Sequence, residues 1–456
     1  MSVNLSSSSD ALIVAKFGGT SVADHQAMLR CAQIIKNDPS NRVVVVSASS
    51  GVTNFLVRLS QKDVSIQEQQ QLVENIRKIQ FNILQHIENN TELTVQISTL
   101  LDELLTAAKA QSVDYSARIS DAILSFGEQM SSRIFAAILQ SVGIDGHYFD
   151  VRTVMKTNSL HGQAVVDLVQ LKACATQLLS PKLQEQVIVT QGFIGQNENG
   201  DTTTLGRGGS DYSAALLAEA LDADNLAIWT DVVGIFTTDP RITDQARAIN
   251  EISFGEAAEM ATFGAKILHP ATLIPAMRKN IPVFVGSSKE PEKGGTRIQQ
   301  SVGSKPTYRS IALRREQTLV TVKSPAMLHA SGFLANVFAI LAKHELSVDL
   351  ITTSEISVAM TFDNPTGSTQ ALLNTTVVAE LEQLCEVSVE NGLSLVAVIG
   401  NQIHKTNGVG TSIFDSLSGI NVRMICQGAS EHNLCFLVDE AQANDTVEKL
   451  HATLFA

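Results

Sequence analysis

From residue 11 to about residue 300, short apolar runs alternate with longer stretches of helical period. Residues 11–15 form the first apolar run, and Val43-Val44-Val45-Val46, inside residues 42–49, the second; both read as buried strands. Residues 23–35 between them read as a helix. The polar region 53–109 carries few turn signals beyond Asn89-Asn90, which predicts a helical excursion. Residues 116–140 predict an amphipathic helix, with Ile119, Ile123, Phe126, Met130 and Ile134 on one face. A strand over 146–151, a helix over 164–179 closed by Pro181, and a strand over 187–193 follow. Asn197-Glu198-Asn199-Gly200 predicts a hairpin turn into Thr202-Thr203-Thr204-Leu205. Beyond it come a helix over 211–221, a strand over 226–230, helices over 251–263 and 270–280, and a strand over 281–286. Such alternation predicts an α/β unit with a mainly parallel sheet between helices, and ligands at the carboxyl ends of the strands.

Residues 289–309 read as a linker, because Pro291, Lys293-Gly294-Gly295 and Pro306 interrupt regular structure. The pattern then changes to an internal repeat. Val320, Val322, Phe338, Leu341, Ser354, Glu355, Val358 and Met360 each recur 76 residues later, as Val396, Val398, Phe414, Leu417, Ser430, Glu431, Leu434 and Phe436. Leu346/Ile420 and Val348/Val422 are 74 apart. Each copy reads strand, glycine-bearing loop, helix, strand, strand, which predicts two small α+β modules.

With 456 residues, two or three domains are expected. A net charge of −13 argues against a general nucleic-acid or anionic-membrane surface, though not against an anionic ligand held by a local basic cluster. Five widely spaced cysteines without a CxxC pair suggest free thiols in a reducing compartment. Residues 1–10, with Ser6-Ser7-Ser8-Ser9, read as a disordered tail. No run approaches a membrane-spanning length, and no signal-peptide pattern is evident, so a cytoplasmic protein is expected.

Several turns at strand ends carry candidate chemistry. Lys16-Phe17-Gly18-Gly19-Thr20-Ser21 follows the first strand and precedes a helix. It makes a plausible anion site, though this stretch alone favours a tight turn with a solvated lysine. Thr204-Leu205-Gly206-Arg207-Gly208-Gly209-Ser210-Asp211 opens another helix. It is neither a P-loop nor a dinucleotide fingerprint, whose third glycine would fall on Asp211. A glycine-rich turn capped by Ser210 or Asp211 is the plain alternative. Trp229-Thr230-Asp231 ends a strand with an acid, able to hold magnesium or a nucleotide group or merely to cap a turn. Lys266 is a second phosphate lysine or a solvated helix-end residue. Glu128, by periodicity, belongs on a polar helix face. No histidine or cysteine spacing marks a metal site, and no Ser/His/Asp or Cys/His set is present. Together the basic and acidic groups favour phosphoryl transfer.

The combination of Lys16-Phe17-Gly18-Gly19-Thr20-Ser21, Ser125-Phe126-Gly127-Glu128, residues 202–211, Trp229-Thr230-Asp231 and Phe263-Gly264-Ala265-Lys266 resembles the aspartate kinases. The resemblance runs from about Ile13 to the C-terminus. It implies an amino acid kinase fold over residues 11–300 and a regulatory region over 301–456 with two ACT modules. These would span about 316–385 and 392–456, with 305–315 as a segment that can interleave with them. Residues 327–334 and 347–355 resemble the lysine-inhibited, monofunctional form, with no homoserine dehydrogenase domain expected after Ala456.

The implied reaction is ATP plus L-aspartate to 4-phospho-L-aspartate and ADP, with magnesium held mainly by the nucleotide. It opens the route to lysine, methionine and threonine. By resemblance, Lys16 stabilises the moving phosphoryl group, and Asp211 orients the lysines around it, Lys266 included. Arg207 would take a substrate carboxylate and Glu128 the amino group, with Ser47, Thr53 and Ser210 lining the same pocket. Gly18, Gly19, Ser21, Thr230, Asp231, Phe236, Arg241, Lys16 and Lys266 would surround ATP, and Phe236 stands where close relatives carry tyrosine. Met327, Phe333, Leu334, Ser347, Val348, Asp349, Ser354 and Glu355 match effector positions for L-lysine. The second copy has Arg423 where the first has Asp349, so the effector is expected in the first copy and a role in association in the second. A homodimer, or a dimer of dimers, joined through the ACT modules is implied. A kinase for glutamate or acetylglutamate, and a non-catalytic amino-acid sensor, are the rival readings.

Overall fold

The computed structural model describes residues 11–264, 268–328, 331–363 and 373–456. The expected tail over residues 1–10 lies outside them. The chain divides into two compact units. Of the described residues, the first comprises 11–235, 248–254 and 268–302; the second comprises 236–247, 255–264 and those from 303 to 456.

The first unit is built on an eight-stranded sheet, ordered β3-β4-β2-β1-β7-β9-β10-β8. Its strands are β1 (Ile13–Phe17), β2 (Asn41–Val46), β3 (Gly146–Phe149), β4 (Val187–Gln191), β7 (Asn225–Thr230), β8 (Glu251–Ser253), β9 (Val283–Ser287) and β10 (Gly295–Gln299). A separate hairpin pairs β5 (Ile194–Gln196) with β6 (Thr202–Thr204) across the expected Asn197–Gly200 turn. Neighbouring strands run parallel from β3 through β9, and β10 is antiparallel to β9. Central β1 is buried at all five positions, Lys16 included, between its neighbours β2 and β7.

Its helices are α1 (His25–Asn37), α2 (Val52–Leu59), α3 (Ile66–Leu84), α4 (Thr91–Val113), α5 (Ala117–Ser141), α6 (Leu168–Cys174), α7 (Gly209–Ala220) and α9 (Pro270–Lys279), while α8 (Phe254–Thr262) belongs from Gly255 on to the second unit. The expected helical excursion is therefore three helices, α2 to α4. Ser65 and Ser116 cap α3 and α5 by accepting from Glu68 N–H (3.2 Å) and Ile119 N–H (3.1 Å). A single core joins α1 to α5 to the sheet through Phe17, Val44, Val46, Leu56, Ile76, Leu104, Ile134 and Phe135.

Three local expectations are corrected. Residues 164–167 are not helical; α6 starts at Leu168, where Asp167 accepts from Val169 N–H and Gln170 N–H (3.0 Å each). Residues 251–253 form β8 ahead of α8. The expected linker contains β10, because the Gly294-Gly295 break sets up an antiparallel return beside β9.

The second unit shows the repeat as structure. Each copy runs strand, helix, strand, strand, helix. The first copy has β11 (Ser310–Lys323), α10 (Phe333–Lys343), β12 (Ile351–Thr353), β13 (Ser357–Asp363) and α11 (Thr375–Glu382). The second has β14 (Glu386–Ile399), α12 (Val409–Asp415), β15 (Met424–Gln427), β16 (Asn433–Asp439) and α13 (Ala443–Leu454). The sheet order β12-β13-β11-β14-β16-β15 places the two long strands antiparallel at its centre. Repeat partners occupy matching core places: Val320, Val322 and Val358 in one cluster, Val396, Val398 and Leu434 in the other.

Segments 236–247 and 255–264 are woven into this unit. Thr237 Oγ1 lies 2.8 Å from His451 Nε2, and Ile311 N–H donates to Thr237 O (2.7 Å). On α8, Glu256 is fully buried beside Arg309 (2.9 Å), and Glu259 accepts from Ser430 Oγ and Asn433 Nδ2 (2.6 Å each).

Candidate active site

The site is assembled at the carboxyl ends of β1, β2 and β7. Lys16 leaves the centre of the sheet from β1 and is 8% exposed. Its Nζ lies 2.5 Å from Asp211 Oδ1, in the first turn of α7. Gly18 N–H donates to Trp229 O (3.1 Å), and Ser50 N–H to Gly19 O (3.1 Å), so the turn after β1 is tied to both neighbouring strand ends.

Glu128 corrects the periodicity argument. It is 5% exposed, not on a solvated face. Every residue from 125 to 132 is buried, more than two helical turns, so α5 has no polar face there. Burial pushes the Glu128 carboxyl up to about 7, opposed by the Ala48 N–H that it accepts and by the charge of Lys16. Ser131 Oγ–H donates to Ser47 O (2.8 Å), holding α5 against the turn after β2. Gly127 permits this approach: a Cβ there would sit 2.5 Å from Ala48 Cβ.

The Gly206–Asp211 segment bends through left-handed backbone at Gly206 (φ +76°) and Gly208 (φ +75°), and a Cβ on Gly208 would meet His269 Cβ at 2.5 Å. Arg207 between them is exposed. Burial and the Arg207 charge lower the His269 imidazole, against the raising effect of Asp211. Phe193, itself left-handed at φ +71°, donates its N–H to Ser213 Oγ (2.9 Å) and anchors α7 from the other side.

A cavity of about 530 Å³ is lined by Lys16, Gly18, Gly19, Ser47, Thr53, Glu128, Arg207, Ser210, Asp211 and Thr230. Ten of the residues singled out from the sequence thus meet in one place. Thr20, the 48–51 turn, Leu124, Phe193 and the glycines of the Arg207 loop also line it. Leu124 and Phe193 carry no signal in the sequence, since an apolar side chain at either place does not stand out from its neighbours.

Other expected residues lie elsewhere. Ser21 is buried, with its hydroxyl 2.7 Å from that of Ser288. Asp231 is exposed and accepts from Thr230 Oγ1 (3.2 Å). Phe236 and Arg241 belong to the second unit, where Arg241 pairs with Asp239 (2.6 Å). Lys266 is outside the described residues. Among the described residues no group of three or more His, Cys, Asp or Glu side chains could hold a metal, and no helix is long and apolar enough to cross a membrane.

The expected effector positions gather on the first repeat. Met327, Phe333 and Val348 pack against its core, Leu334 is 38% exposed, and Ser347, Ser354 and Glu355 are exposed. Asp349 Oδ2 lies 3.4 Å from Arg314 Nη1, and its N–H donates to Thr361 O (2.9 Å). Burial raises the Asp349 carboxyl against the pull of Arg314. Arg423 pairs with Glu390 (2.7 Å).

The sequence profile of the amino acid kinase family matches residues 11–287, and an ACT-domain profile matches residues 396–454. The lysine-sensitive aspartokinase 3 of Escherichia coli is 52% identical over 447 residues, covering 97% of this chain and 99% of its own. The chain belongs to the aspartokinase family. Crystal structures of E. coli aspartokinase III fit this membership. The complex with aspartate and ADP, called the R-state, superposes with a TM-score of 0.90 at 51% identity, covering 98% of this chain and 100% of that one. The complex with lysine and aspartate, called the T-state, gives 0.83 at 52% identity over the same shares. In this aspartokinase-family chain, the Lys16 cavity therefore lies within the part matched as amino acid kinase, and the second repeat is the part matched as ACT domain.

Proposed function

We propose that the protein transfers the γ-phosphoryl group of ATP to the side-chain carboxylate of L-aspartate, giving 4-phospho-L-aspartate and ADP, under inhibition by L-lysine. One observation carries this reading: the buried Lys16–Asp211 pair opens into a cavity that also presents Glu128 and Arg207. The crystal structures of E. coli aspartokinase III, one with aspartate and ADP and one with lysine and aspartate, support it.

The chemistry follows from charge. A carboxylate is ionised at neutral pH and needs no general base. The barrier is its repulsion from the polyphosphate, which cations preset at the transferring group relieve. Lys16 supplies one such charge, and Asp211 fixes its direction. Arg207 takes the α-carboxylate, whose two oxygens suit a guanidinium fork. Glu128 takes the ammonium, and that contact favours the ionised form which burial opposes. Ser47, Thr53 and Ser210 complete the amino-acid side. Gly18, Gly19, Thr230 and Asp231 serve the nucleotide, with Lys266 as a second phosphate lysine.

Magnesium fits on the nucleotide rather than on the protein: Asp211 is taken by Lys16, and Glu128 accepts from Ala48 N–H. Bound there, it would neutralise phosphate charge. L-Lysine would bind at the first repeat, its ammonium drawn to Asp349. The protein would work in the cytoplasm as a homodimer or dimer of dimers. Exposed edge strand β12, with Ile351 at 36% exposure, supports pairing through the regulatory repeats.

Hydroxylamine traps acyl phosphates as hydroxamates. With ATP and magnesium, hydroxamate is expected with aspartate and not with glutamate or N-acetylglutamate, and it should fall on adding lysine. No product with aspartate would end this reading.

A further inference from the structure

Asp121 is 1% exposed and stands seven residues before Glu128 on α5. Seven residues are two helical turns, so the two carboxylates lie on one helix face, roughly 10 Å apart along the axis. Glu128 lines the cavity. Asp121 instead accepts from four donors that belong to two other segments. Thr204 gives its Oγ1–H (2.5 Å) and its N–H (3.2 Å). Gly162 N–H reaches both carboxylate oxygens at 3.1 Å, and His161 Nδ1 lies 2.7 Å from Oδ2. An ionised carboxylate only accepts, so that histidine proton sits on Nδ1.

Both segments flank Arg207. Thr204 ends β6, immediately before the Leu205-Gly206-Arg207 stretch. Gly162 packs on the same stretch, since its carbonyl oxygen would lie 3.3 Å from a Cβ on Gly206. Ala164 N–H closes the arrangement by donating to Thr204 O (2.9 Å). A loop with glycines on both sides of the arginine has little conformational preference of its own and takes its shape from such ties. Asp211 is anchored separately, by Lys16 and by the Phe193–Ser213 hydrogen bond.

We propose that Asp121 is a positioning residue for capture of the amino-acid substrate, holding Arg207 where it meets the α-carboxylate. The inference rests on the functional reading above. It predicts a selective defect. In the full-length protein, Asp121→Asn should raise the KM for aspartate about tenfold, as expected for losing charge-assisted hydrogen bonds. The kcat and the KM for ATP should stay within about twofold, because Lys16 and Asp211 keep their own anchors. Thr204→Val, which removes a single hydroxyl, should shift aspartate KM in the same direction by a smaller factor. In an Arg207→Ala background Asp121→Asn should add little, since residues acting through one group are not additive.

Initial rates by hydroxamate trapping, with aspartate and ATP varied in turn and folding checked by circular dichroism, decide the matter. An unchanged aspartate KM in folded variants, an equal loss in every kinetic constant, or additivity with Arg207→Ala overturns it. If Asp121→Asn does not fold, Thr204→Val decides alone. A parent protein that makes aspartyl hydroxamate while these variants behave like it sinks this inference only; a parent that makes none sinks the functional reading as well.

Discussion

Lys16 Nζ and Asp211 Oδ1 are 2.5 Å apart, which joins the end of the central strand to the first turn of α7. The pair is largely buried, and the carboxylate orients the lysine. Asp211→Asn removes the charge that orients Lys16 while keeping the shape. It should lower kcat by about 10²-fold, the scale of losing one preset electrostatic contact to a transition state. Aspartate KM should change far less. Steady-state kinetics with both substrates varied would check this, and an effect confined to KM would refute it.

Glu128 predicts a pH dependence. Its folded-state carboxyl titrates near 7, above its ordinary value of 4.5. The ammonium of aspartate is charged throughout this range, so capture should strengthen as Glu128 ionises. Aspartate KM should fall as pH rises through about 7, and Glu128→Gln should weaken binding and flatten that profile.

The same group bears on stability with the opposite sign. A raised folded-state value means its contribution is fully present below 4.5 and is lost as pH rises through about 7. In the absence of substrate, Glu128→Gln should therefore be more stable than the parent at pH 8, by up to about 3 kcal/mol. Urea titrations at pH 5 and pH 8 would show the gap widening with pH; a gap independent of pH would contradict the assignment.

Gly127→Ala tests the close approach of α5. The added methyl would lie 2.5 Å from Ala48 Cβ and 3.1 Å from Leu56 Cδ1. Overpacking should cost about 1–3 kcal/mol despite alanine's better helix propensity. It should also raise aspartate KM, because Ala48 N–H contacts Glu128. Thermal denaturation and kinetics on one preparation would measure both.

Asp349→Ala tests the effector assignment. It removes an acid from the first repeat and frees Arg314, which keeps Asp363 as a partner. Half-maximal inhibition should need at least about tenfold more lysine, the scale of losing a charge-assisted hydrogen bond, with uninhibited turnover retained. An unchanged inhibition curve would place the effector elsewhere.

What the sequence made legible was local. Lys16 and the Gly206–Asp211 segment stand out because glycines and charges cluster at strand ends. The repeat stands out because its core positions recur at a fixed interval, and Val320 and Val396 indeed occupy matching strands. Glu128 was hidden from periodicity because α5 is buried all round where it passes the site, so a residue off the apolar stripe still faces the interior. Its role came only from the resemblance of Ser125-Phe126-Gly127-Glu128. Asp121 was invisible for another reason: its partners Gly162 and Thr204 lie 41 and 83 residues away, and nothing local announces them. Strand β10 was hidden behind glycine and proline, which mark a break whether or not a strand follows.

The most direct test of the central claim is the rate of aspartyl hydroxamate formation at saturating aspartate and ATP, for the parent and for Lys16→Ala. The parent should form product, and the folded variant should be slower by about 10²- to 10³-fold. Product formation by Lys16→Ala at the parent's rate, or none from the parent, would contradict the account.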